Sequence, residues 1–109
     1  MTLLELVNLL KSTGYPVAYS HFEATEENPA PSPPFICYVL PDTDNFMADN
    51  TVYHDITDVD IELYTDVREF AIEKQIDDLL KENKIPFNKT AIYIDSEKMH
   101  QTIYEVRLI

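Results

Sequence analysis

Apolar and polar positions alternate with two different periods along this chain, and the switches between them divide it into elements. Leu3, Leu6, Val7 and Leu10 fall on one helical stripe, with Leu4 and Leu9 at its edges. Thr2 followed by Glu5 is a capping box, and Gly14, the only glycine, stands where a left-handed residue can end the helix. "VAYSHF" after Pro16 suits a short strand, and "FICYVL" suits a strand buried on both faces. Turn chemistry in "PDTDN" then predicts a hairpin to a short strand "FMAD". In the next strand Val59, Ile61 and Leu63 lie on one face and Asp58, Asp60 and Glu62 on the other. Upstream, Val52, His54 and Ile56 are in phase with the acids, so a β-bulge or a swap of buried face is expected near Thr57.

Asp66 with Glu69 matches a second capping box, which predicts a helix over 67–83 with Ile72, Ile76, Leu79 and Leu80 as its core stripe. Val67, Phe70 and Ala71 surround its start. Lys74 with Asp78 and Asp77 with Lys81 have the spacing of surface ion pairs. "IPFN" ends the helix, and "TAIYID" and "TIYEVRLI" predict two strands around the turn-like "SEKMHQ". The expected order is α-β-β-β-β-α-β-β. Such a series suits an α+β fold, two helices packed on one face of a mostly antiparallel sheet.

The 109 residues suit one domain, and 45% apolar content is enough for a core. One segment departs from that composition: "EATEENPAPSPP", residues 23–34, holds four prolines and three glutamates. It reads as an exposed, extended loop. Cys37, the only cysteine, cannot form an internal disulfide and is expected to be a buried structural thiol. The N-terminal apolar run contains Glu5 and precedes Lys11, unlike a signal peptide, and no apolar stretch approaches the roughly 20 residues of a membrane span. A cytoplasmic protein with no membrane contact is expected.

Charge sharpens this picture. The net charge is -12, which disfavours direct binding to nucleic acid or to an anionic membrane. No Lys or Arg occurs between Lys11 and Arg68, whereas 11 of the 20 acids fall in that interval. One half of the protein therefore carries a negative field. Asp55, Asp58, Asp60, Glu62 and Asp66 are its candidate functional acids, either as the solvent face of an amphipathic strand or as a negative surface put to use.

Chemistry that would mark an enzyme is missing from the sequence. One glycine cannot make a phosphate-binding loop, and there is no HExxH, cysteine pair or Ser-His-Asp motif. His54 with Asp58 and Asp60 is a poor metal site, because acids two apart on a strand stand about 7 Å apart. His21 and His100 are expected at strand ends as surface or interface residues. No catalytic residue, cofactor or metal is expected.

"YPVAYSHF", "PPFICY", "DNFMADN" and "DIELYTD" carry a resemblance that spans nearly the whole chain. The sequence resembles a small protein of the neck and tail-completion gene group of long-tailed bacteriophages, found in prophages of Gram-positive bacteria. Its plan is similar to that of tail terminator, or tail-to-head joining, proteins. The resemblance implies a ring, typically hexameric, that caps the tail tube, stops its polymerisation and offers a joining surface to a head connector or stopper. The implied partners are a second copy of the chain, the major tail tube protein and the connector, with DNA passing through unbound. The implied location is the host cytoplasm during assembly and then the virion neck.

In such a ring Asp58, Asp60 and Glu62 are expected to line the lumen, with Asp55 and Asp66 at its rims. Alternatively, these acids dock on a basic patch of a neighbouring subunit, with Arg68, Lys74 or Arg107 as partners. Glu26, Pro29, Pro31 and Pro33 of the Pro-rich loop, and Asp44, Phe46 and Met47 of the hairpin, are candidate subunit contacts. The competing expectations are an acidic DNA mimic that inhibits a basic partner, another small neck component and, least favoured, a hydrolase.

Overall fold

A computed structural model of the chain describes residues 1–21, 31–41 and 57–108. The elements are α1 (Leu3–Lys11), β1 (Val17–Tyr19), β2 (Phe35–Val39), β3 (Thr57–Thr65), α2 (Phe70–Glu82), β4 (Phe87–Ile94) and β5 (Met99–Leu108). The fold is α+β, with five strands among the described residues in the order α-β-β-β-α-β-β rather than the six expected. The short strand expected at 46–49 and its hairpin lie outside the described residues, as do residues 52–56. From Thr57 onward β3 pairs with β5 in unbroken register, so no bulge interrupts the described part.

The sheet order is β1-β2-β3-β5-β4. β1 runs parallel to β2, and every other neighbouring pair is antiparallel. β3 and β4 both run against β5, so α2 returns the chain for two parallel strands that leave a gap for β5. Leu6 and Leu10 of α1 and Ile72, Ile76 and Leu80 of α2 join Ile36, Ile61, Tyr104 and Val106 in one core. All of these sheet residues belong to a single face. Both helices therefore cover that face, as the apolar stripes require.

α1 begins as its sequence dictates. Thr2 Oγ1 accepts from the Glu5 amide at 3.1 Å, and the Thr2 amide donates to Glu5 Oε1 at 3.2 Å. Gly14 has φ +90, and an added Cβ would meet nothing within 4 Å, so the requirement for glycine there is conformational rather than steric.

Three boundaries differ from expectation. α2 starts at Phe70 rather than 67, with Glu69 at its N-cap and no side-chain cap bond, so the Asp66-Glu69 box does not form. Asp66 lies in a bend directly after β3, and Arg68 instead reaches forward to Glu73. β4 starts at Phe87, whose ring packs edge-on against Tyr104 with centroids 5.5 Å apart, which draws Phe87, Asn88 and Lys89 into the sheet. The β4–β5 turn is confined to 95–98 with Lys98 at φ 52, so Met99, His100 and Gln101 are already strand. Among the expected surface pairs Lys74–Asp78 forms at 2.7 Å, but Asp77 pairs with Lys89 across the fold rather than with Lys81.

Candidate functional site

Neither helix covers the second face of the sheet, and that face gathers the acids of β3. Because β3 and β5 are in register, Asp58 stands opposite Arg107, Asp60 opposite Glu105, Glu62 opposite Ile103 and Tyr64 opposite Gln101. On the other side β2 places Val39 opposite Asp60 and Cys37 opposite Glu62. The face thus has an acidic end and an aromatic, apolar end.

At the acidic end Arg107 makes a two-pronged pair with Asp58, Nε to Oδ1 at 2.7 Å and a second nitrogen to Oδ2 at 3.1 Å. A groove of about 500 Å³ opens there between Pro41, Asp58, Asp60, Asn88, Glu105 and Arg107. Its lining carries three carboxylates against one guanidinium, so it favours cationic groups and repels phosphate.

At the other end Phe35 and Tyr64 stack with centroids 5.0 Å apart. The Tyr64 hydroxyl donates to Glu62 Oε1 at 3.0 Å and accepts from Gln101 Nε2 at 2.8 Å. Burial raises the Glu62 carboxyl above its usual range, the Tyr64 bond lowers it in part, and the neighbouring Asp60 raises it further. Cys37, 2% exposed, is the buried thiol expected of it, and burial followed by Glu62 pushes its pKa to about 11. Such a thiol is a poor nucleophile.

The candidate residues therefore separate. Asp58, Asp60 and Glu62 come together on the open face, joined by Glu105, and Asp66 lies exposed in the bend beyond β3. Pro31 and Pro33 are half-buried, less exposed than a free loop. Asp55, Glu26, Pro29, Asp44, Phe46 and Met47 lie outside the described residues, as does His54. The three cations proposed as docking partners all have intramolecular ones: Arg68 with Glu73, Lys74 with Asp78, and Arg107 with Asp58. His21 is exposed beside Ser20, and His100 packs its ring against Tyr93 at 4.9 Å. Among the described residues no group of three or more His, Cys, Asp or Glu could hold a metal ion.

No family model matches this chain, and neither curated proteins nor solved structures hold a match to it.

A second charged cluster, missed in the sequence, lies on the helix side. The Glu73 side chain is 3% exposed and bonds Arg68 Nε at 3.1 Å and Lys89 Nζ at 3.0 Å, and Lys89 also reaches Asp77 at 3.2 Å. Tyr104 completes the cluster by donating its hydroxyl to the Glu73 backbone carbonyl at 3.2 Å. Burial pushes the Glu73 carboxyl up, but the hydrogen bonds and charges of Arg68 and Lys89 outweigh it and hold the pKa below normal. The signal was legible in part, since Glu73, Ile76 and Leu80 share one helical line and Lys89 alternates in phase with Phe87. This cluster locks α2 onto β4 and β5. Among the described residues no helix is long and apolar enough to cross a membrane.

Proposed function

We propose that this protein is a structural ring component of a long-tailed bacteriophage, a tail terminator that caps the tail tube, halts its growth and joins it to the head connector. One observation carries the reading: Asp58, Asp60, Glu62 and Glu105 share the sheet face that neither helix covers. A fold gains nothing from crowding carboxylates there, whereas a channel that must pass DNA without holding it needs such a surface. The sequence resemblance supplies the ring and its partners, and a role made of complementary faces requires no catalysis. DNA passes as cargo.

Electron microscopy of lysates from an induced prophage with this gene disrupted tests the reading. Overlong tail tubes beside unjoined, DNA-filled heads are the expected result. Normal joined virions overturn it and move the acidic face to the DNA-mimic reading.

A further inference from the structure

Among the described residues, the large apolar side chains left exposed include Tyr19, Ile92 and Tyr93 on the two edge strands of the sheet. β4 is, among the described residues, an edge strand of eight residues with no proline, no bulge and no acid. Proteins usually blunt such an edge with charge, proline or brevity, because its outward amides and carbonyls invite another strand. Lys89, the only charge on β4, is turned onto the helix face and held by Glu73 and Asp77, so it does not guard the edge. The opposite edge, β1, also lacks acids, in a chain of net charge -12 whose sheet acids sit on the interior strands β3 and β5. Acid-free edges can approach one another without the repulsion that the open faces would impose.

Strand directions decide how they meet. β1 and β2 run one way, β3 the other, β5 with β1, and β4 against it. A head-to-tail neighbour related by rotation about an axis along the strands keeps these directions, so its β1 arrives antiparallel to β4. The same rotation keeps the helix faces on one side, which lets Tyr19 stand beside Tyr93 and, in the same antiparallel register, Ala18 beside Ile94, as the side-chain parities require.

We infer that the β4 edge of one copy pairs antiparallel with the β1 edge of the next, so that one sheet runs from subunit to subunit with the helices outside and the acidic face toward the axis. This inference rests on the ring reading and adds the contact that closes it. The β1 contribution is short, three residues, so the two tyrosines and Ile92 supply much of the contact and subunits join reversibly.

Cysteine cross-linking of the purified protein tests the pairing, with negative-stain microscopy of the same samples. Tyr19→Cys and Tyr93→Cys replace exposed side chains, and the buried Cys37 does not compete. The double variant is expected to give a ladder of disulfide-linked multimers, while each single variant stays unlinked. Ala18→Cys with Ile94→Cys repeats the test on the other face in the same register and covers the case in which one variant misfolds. Dimers from Tyr93→Cys alone would mean a β4-to-β4 contact and overturn the inference. Rings in the micrographs without cross-links from either double variant overturn the edge pairing and leave the ring reading standing. Absence of both rings and ladders overturns the ring reading and the pairing with it.

Discussion

Asp60 on β3 and Glu105 on β5 are direct cross-strand neighbours on the sheet face that neither helix covers, two carboxylates where a sheet stabilises itself with opposite charges or apolar pairs. Like charges in this position cost about 0.2–1 kcal/mol. The arrangement runs against local stability, the mark of a surface kept for use. Glu105→Gln removes the repulsion without changing shape, so it should raise the urea midpoint by the equivalent of about 0.5 kcal/mol with an unchanged m-value. A lower midpoint would mean that the two carboxylates are held by a favourable contact instead.

Glu62 makes the same point through pH. Its folded pKa is raised by burial, so the folded state binds the proton more tightly than the unfolded chain does. The charged form therefore costs stability, a cost absent below the unfolded pKa and fully present once pH exceeds the folded one. Glu62→Gln should stabilise the protein at pH 7 and leave it unchanged at pH 3. Thermal denaturation of both proteins across that range checks it, and equal shifts at both ends would assign the effect to packing.

The acids of β3 were legible because strand parity alone sorts Val59, Ile61 and Leu63 from Asp58, Asp60 and Glu62, and Thr2-Glu5 announced α1 because its cap is local. The start of α2 was misread because Asp66 and Glu69 satisfy a capping pattern while the chain is still leaving β3, and the Arg68 contact with Glu73 that settles the geometry is tertiary. Glu105 escaped notice as a partner of Asp60 because register between β3 and β5 depends on α2 and β4 placed between them in sequence. The parallel alignment of β1 with β2 left no trace in either strand's pattern.

Glu73 should be the most sensitive charge in the fold. Removing one partner of a buried ion cluster strands the others, and Glu73→Ala should cost about 3 kcal/mol, tempered because Arg68 and Lys89 keep some access to water. The folded pKa of Glu73 is depressed, so its contribution is present above the unfolded carboxyl value and is lost as pH falls through the folded one. Wild type and variant should thus converge in stability under acid. A difference that persists unchanged at pH 2 would assign the loss to packing of α2 rather than to charge.

Cys37 should be silent in the folded protein. With 2% exposure and a pKa pushed to about 11, it presents almost no thiolate at pH 8 and little surface to a reagent. A disulfide-exchange dye should release no colour from native protein over minutes and one equivalent per chain in urea. Prompt native reaction would show that the open face around Phe35, Tyr64 and Cys37 parts readily.

Charge reversal separates a lumen from a docking surface, and the choice of residue decides whether the result can be read. Asp58 is already committed to Arg107, so reversing it would set two cations together and disturb the sheet whatever the face does. Asp60 is the better probe, because a lysine there would meet Glu105 as an opposite charge across the strands. If the face lines a channel, Asp60→Lys should still form rings by electron microscopy, while phage complemented with it should fall at least tenfold in infectious titre because a cation in the channel attracts the phosphates passing it. If the acids dock on a neighbouring subunit, rings should be lost with the titre. Rings and titre both unchanged would remove the acidic face from the passage of DNA.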